Sequence, residues 1–189
     1  MGLAVLIIGG ALFASRQNPD TSQAQQRQRL LRQFRRTPTP FVSEYMTLVD
    51  LSRKAGDFAI AIEVLKSAAA EQPKNAFIFE LLGDVYQEAS RFPAAEAAYR
   101  RAIVDDAGAV LAYTKFADLL WEHVRERAGE IEPLLATGIK VTAHPNLYKR
   151  LARYFTDIGD RRRAVEAWEA VLRLEPETEA VKEEIQRLK

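Results

Sequence analysis

The chain has 189 residues, 48% of them hydrophobic and 28% charged, with a formal net charge of +1. Its length suits one domain with a real core, and its composition excludes both a disordered chain and a multispanning membrane protein. The absence of cysteine excludes disulfides, thiolate metal sites, a cysteine nucleophile and a lipidated N-terminal cysteine, and only two histidines, His123 and His144, remain for metal or acid–base chemistry.

Residues 2–14 carry no polar side chain. As a helix they rise about 20 Å, short of the ~30 Å hydrocarbon core of a bilayer, and Met1, Ser15 and local thinning narrow that gap. No basic stretch precedes the segment, as a secretory signal requires. Residues 1–15 are therefore read as a hydrophobic helix anchoring the chain in a membrane, with a cleaved targeting signal or a mis-assigned start as the alternative.

Residues 16–41 change character. Arg16, Arg27, Arg29, Arg32, Arg35 and Arg36 stand against one acid, Asp20, so residues 16–40 carry +5. This Arg/Gln-rich stretch reads as a linker, and a helix over 22–36 gathers Leu30, Leu31 and Phe34 on one side. Thr37 to Pro40 then form an extended hinge, because residues before proline avoid the helical region. Arg27, Arg29, Arg32, Arg35 and Arg36 suit an anionic membrane surface, each contributing about 1 kcal/mol there. Tethered beside the acidic remainder of the chain at high effective concentration, they also suit an autoinhibitory contact. Arginines after the apolar run and none before it favour a cytoplasmic C-terminal part, the alternative being an exported or periplasmic one.

From residue 42 the chain repeats itself. Tyr45, Phe79, Tyr113 and Tyr148 are spaced by 34, 34 and 35 residues, and Leu48, Leu82, Phe116 and Leu151 follow three positions later. Val49, Gly83, Ala117 and Ala152 come next, while Ala61, Ala95 and Ala164 recur with Leu65, Tyr99 and Trp168. The units are 42–75, 76–109, 110–144 with one inserted residue, and 145–178. Spacings of i, i+3, i+4 and i+7 make one helix face, so each unit is a helix pair. Gly56-Asp57 and Gly159-Asp160 break the pairs with a left-handed cap, and Ser90 to Pro93 break the second. One pair cannot bury both apolar faces, so the pairs stack into a solenoid. Residues 179–189, with Val181, Ile185 and Leu188 on one side, supply the capping helix.

This pattern resembles the tetratricopeptide repeat. Residues 76–109 carry Phe79, Leu82, Gly83, Tyr86, Ala95, Tyr99 and Ala102; the first unit has Ser52 where an aromatic is common. The third unit lacks the Ala-x3-aromatic pair and holds Pro133 and Gly138, which predicts an irregular second helix. The resemblance implies an all-α, right-handed superhelix whose first helices line a groove that receives partner proteins. Asp50, Asp84, Asp118 and Arg153 would face that groove, neighboured by Met46, Glu80, Thr114, Lys149 and Arg150. It would then be acidic through three units and basic in the fourth, and would steer in a segment bearing Arg or Lys. Aspartates stand where a carboxylate-gripping clamp needs asparagine, which argues against that mode.

No sign of catalysis accompanies the repeats. There is no phosphate loop, zinc-protease pair, nucleophile elbow or calcium loop. His123 and His144 read as surface or capping residues, and Trp168 as a core residue. No cofactor, metal or small-molecule substrate is implied. Residues 41–189 hold 21 Lys/Arg and 25 Asp/Glu, a poor basis for general nucleic-acid binding. The expected function is a non-enzymatic, membrane-tethered scaffold, assembly factor or accessory subunit of a membrane complex, the alternative being a soluble or exported adaptor.

Overall fold

The computed structural model describes residues 19–36 and 42–189; the expectations for residues 1–15 and for the hinge at 37–40 lie outside the described residues. Every regular element described is helical: α1 (Pro19–Arg36), α2 (Val42–Lys54), α3 (Phe58–Glu71), α4 (Ala76–Glu88), α5 (Phe92–Asp105), α6 (Val110–His123), α7 (Ile131–Thr142), α8 (Pro145–Asp157), α9 (Arg161–Leu174) and α10 (Glu179–Leu188), with a 3-10 turn over Arg125–Glu130. None of these helices is long and apolar enough to cross a membrane.

Each helix packs on its neighbours in the chain, and the first helices also meet across units, α4 on α6 and α6 on α8. This is the solenoid the spacing predicts. Its core is linear: one cluster runs from Phe34 and Tyr45 to Ala98, a second from Ala95 and Tyr99 to Ile185, and Tyr86 packs against both. Gly56 and Gly159 adopt φ values of 74° and 80°, the left-handed conformation expected of the breaks. Ser90 does the same work at φ 57° without being glycine, at a cost of about 1 kcal/mol. Asp160 caps α9 by accepting a hydrogen bond from the Arg163 amide at 3.0 Å. His144 caps α8, its Nδ1 accepting from the Asn146 amide at 3.2 Å.

The third unit corrects the expected irregularity. The 3-10 turn absorbs the non-repeating residues, and α7 then runs as an ordinary α-helix. Pro133 falls in its first turn, where the missing N–H has no intrahelical acceptor to lose. Ile131, Leu135 and Gly138 are buried at i, i+4 and i+7, the spacing of Ala95, Tyr99 and Ala102 in α5. The core column is thus present but displaced two residues along the chain. Gly138 is small for a reason: a Cβ there would lie 3.0 Å from the Tyr113 ring and 3.1 Å from Leu147.

The two ends of the stack are half-units. Val181 and Ile185 of α10 are buried, and Val181 stands 34 residues after the buried Leu147 of α8, so α10 takes a first-helix slot. At the other end, Arg27, Leu31 and Phe34 stand 34 residues before Ala61, Leu65 and Ala68 of α3. Helix α1 therefore takes a second-helix slot ahead of α2. Phe34 is buried and meets Tyr45 edge-on at 5.6 Å, and Arg27 pairs with Asp57.

Candidate functional site

The first helices α2, α4, α6 and α8 carry the predicted groove residues, and side chains of neighbouring units meet along them. Lys115 of α6 reaches back to α4, where its Nζ donates to Glu80 and to Asp84, both at 2.8 Å. Burial works against the charge on Lys115, but the two carboxylates outweigh it and hold its pKa above the ordinary lysine value. Arg150 of α8 pairs with Asp118 of α6 and donates to the Ala117 carbonyl at 3.2 Å. Arg53 of α2 pairs with Glu88 of α4, one of its bonds being 3.0 Å long. Each first helix is thereby joined to the next by a charged contact.

The predicted acidic row is accordingly divided. Asp50 is exposed and pairs with Lys54 of its own helix at 2.7 Å. Asp84 and Asp118 are engaged by Lys115 and Arg150, and Glu80 is buried. Arg153 is exposed, whereas Lys149 pairs with Glu175 at 2.6 Å. Thr114 donates to the Leu111 carbonyl at 3.0 Å, and Met46 packs against the first core cluster. Helix α1 lies against α2 at the end of the stack, and Arg27 pairs there with Asp57 at the start of α3 rather than with Asp50, Asp84 or Asp118.

Between α4 and α6 an open cleft of about 380 Å³ is lined by Asp84, Gln87, Glu88, Tyr99, Lys115, Asp118, Glu122 and His123. Four carboxylates and one lysine line it, and among the described residues Glu122 is not used in any ion pair between units. His123 is held flat against Phe92, with ring centroids 4.2 Å apart and planes 13° apart. Lys115, Gln87, Glu88 and Glu122 were not singled out by repeat columns. Their signal is charge of opposite sign separated by about one unit length: Lys115 stands 35 residues after Glu80 and 31 after Asp84. Such spacing puts two side chains on adjoining first helices.

Tyr99 forms the floor of the cleft. Its hydroxyl donates to Asp84 at 2.9 Å and lies 3.2 Å from the Gln87 side-chain oxygen. Burial, then the negative charge of Asp84 and the bond to it, push the phenol far above the ordinary tyrosine value of 10. The folded state therefore keeps the proton while the unfolded chain loses it above pH 10, so stability falls as pH rises through that value. Lys115 acts in the same sense above 10.5. Tyr99→Phe should make the loss of stability between about pH 9 and 11 shallower in urea melts. An unchanged slope would show that Tyr99 titrates normally in the fold.

Among the described residues no group of three or more His, Asp or Glu could hold a metal ion. Trp168 is buried in the core column, and Trp121 packs edge-on against Tyr154 at 5.7 Å.

Residues 46–122 match the tetratricopeptide repeat family. No curated protein sequence matches the chain. Among solved structures, it is similar to MamA, with 22% identity and a TM-score of 0.59 over 77% of this chain and 79% of that one. It is also similar to a tetratricopeptide repeat protein from Parabacteroides merdae, at 15% identity and TM-score 0.65 over 90% and 67% of the two chains. A thermophilic tetratricopeptide repeat protein of Thermus thermophilus aligns at 14% identity and TM-score 0.61 over 91% and 97%. Residues 46–122 thus match the repeat family, and the stack of helices shares its fold with these solved structures.

Proposed function

We propose that the chain is a scaffold that binds a partner segment on the face of its first helices, selected by the α4–α6 cleft. Residues 1–15 would tether it to a membrane, as an assembly factor or accessory subunit of a membrane complex. The repeat fold supports protein binding as its work. The observation that carries the reading is the cleft itself, open to solvent and lined by four carboxylates. Of these, Asp84, Glu88 and Asp118 meet Lys115, Arg53 and Arg150, and Glu122 is left facing the cleft. A segment carrying Arg or Lys complements that lining, and long-range attraction would speed its arrival.

The test spares the carboxylates that join the units. A photo-crosslinking side chain at Gln87, in the cleft, is compared with one at Lys66, exposed on α3. In mild detergent extract, Gln87 should yield a discrete adduct that Lys66 does not. Glu122→Lys in the same chain should lower its yield several-fold, as should raising salt, because the attraction is electrostatic. Equal adducts at both positions, or a yield indifferent to Glu122→Lys, would defeat the cleft as the selecting element. Tethering is tested separately by carbonate extraction: retention in the membrane with Met1 intact supports the anchor, and release supports the soluble or exported adaptor.

A further inference from the structure

The half-unit α1 has two unlike faces. Arg27, Leu30, Leu31 and Phe34 turn toward the solenoid, where Phe34 is buried and Arg27 is paired. Arg29, Arg32 and Arg36 fall at i, i+3 and i+7 on the side roughly opposite, with Arg35 on its flank. All four are exposed and make no ion pair among the described residues. Five arginines stand against a single acid, Asp20, in α1 as a whole. A basic stripe on the outermost element of a stack whose repeats carry −4 is not needed for the fold.

We infer that this stripe is a docking surface for an anionic lipid bilayer, on which α1 lies flat with the repeats projecting away. Charge is the first argument: arginines at a leaflet of phosphatidylserine type are attracted within about a Debye length, near 10 Å. The length of chain ahead of α1 is the second. Only residues 15–18 separate the apolar run 2–14 from Pro19, a span of at most about 14 Å. If 2–14 enter the bilayer, α1 starts at its surface. An upright α1 would lift Arg29 to Arg36 about 15–26 Å along its axis, beyond the reach of that attraction. Lying flat brings the whole stripe down and leaves the opposite face for α2. Because α1 is packed into the stack through Phe34, contact with the bilayer would also fix which way the groove faces. The inference rests on the tethering reading for the nearness of the bilayer, but the arginines themselves would bind an anionic surface without it.

The test is flotation of the full chain with vesicles of phosphatidylcholine alone and of phosphatidylcholine with about 30% phosphatidylserine, at about 0.1 and 0.5 M NaCl. Wild type should partition at least tenfold more strongly into the anionic vesicles at low salt, and high salt should remove the preference. R29Q/R32Q/R35Q/R36Q should reduce the preference to within about twofold of neutral vesicles. A matched variant with four other exposed arginines changed, R91Q/R153Q/R161Q/R173Q, should keep it, and circular dichroism should find both variants helical. Equal loss in the two variants would assign the effect to net charge and overturn the proposal. So would a wild type without lipid preference, or one displaced by about 10 mM inorganic phosphate at the same ionic strength, which would mark a discrete anion site. Binding to neutral vesicles reports the apolar segment alone. Anionic preference without neutral binding would remove the anchor and keep the stripe, and neutral binding without preference would do the reverse.

Discussion

Gly83→Val should destabilise the protein by about 3 kcal/mol, and adding Tyr99→Leu to it should restore most of that loss. A Cβ at Gly83 would stand 2.3, 2.5 and 2.8 Å from three carbons of the Tyr99 ring. The ring cannot swing aside cheaply, because Tyr99 is buried and its hydroxyl is tied to Asp84. Overpacking of this kind usually costs about 1–3 kcal/mol, and a branched side chain against a fixed aromatic falls at the upper end. The rescue follows from the repeat itself. In the first unit the same two columns hold Val49 and Leu65, both buried in one cluster, so the exchange of volumes has already been made there. Tyr99→Leu alone leaves a gap over the glycine and costs about 2–4 kcal/mol. The two single losses should therefore fail to add, with a coupling of about 4–6 kcal/mol in a denaturation cycle. Additive losses would mean that the ring and the glycine are not packed as described.

The same columns explain how far the fold was legible. Positions that pack within a unit must match in volume and recur, so the helix pairs, their breaks at Gly56 and Gly159 and the final α10 could be read directly. Half-units carry only half of the pattern. Leu31 and Phe34 fit the second-helix columns, but Arg27 stands where alanine is expected, and this disguised α1 as linker. In the third unit, the 3-10 turn moved the column by two residues and hid Ile131 and Leu135. Ser52, in an aromatic column, is fully buried with its hydroxyl unpartnered, and nothing in the structure explains that choice. The groove was legible in its residues and not in their engagements. Asp84 and Asp118 do stand on the first helices, yet each meets a cation from the following unit, about one repeat length away. Such contacts depend on how far one helix slides along the next, which column spacing does not encode. What remains for a partner is the part of the cleft around Glu122, which joins no two units among the described residues.

Asp118→Ala should cost about 2–4 kcal/mol, whereas Arg150→Met should cost under about 1 kcal/mol, although both remove the same ion pair. The partners differ in what surrounds them. Arg150 is buried, its side chain 8% exposed, while Asp118 is 45% exposed. Without Asp118, the guanidinium stays charged and largely dry with only the Ala117 carbonyl for a partner, and an uncompensated buried charge is expensive. Without Arg150, Asp118 is hydrated from the cleft, and methionine replaces most of the apolar stem that arginine buried between α6 and α8. The double variant should resemble Arg150→Met, because the buried charge is then absent. Equal losses in the two single variants would show the pair to be an ordinary surface bridge. The loss should also be local, since each unit of a solenoid contacts only its neighbours. In Asp118→Ala, amide exchange should quicken in α8 and α9 while α2 and α3 keep their protection. If α2 and α3 loosen equally, the stack unfolds as one body and the α6–α8 contact does not hold the last unit by itself.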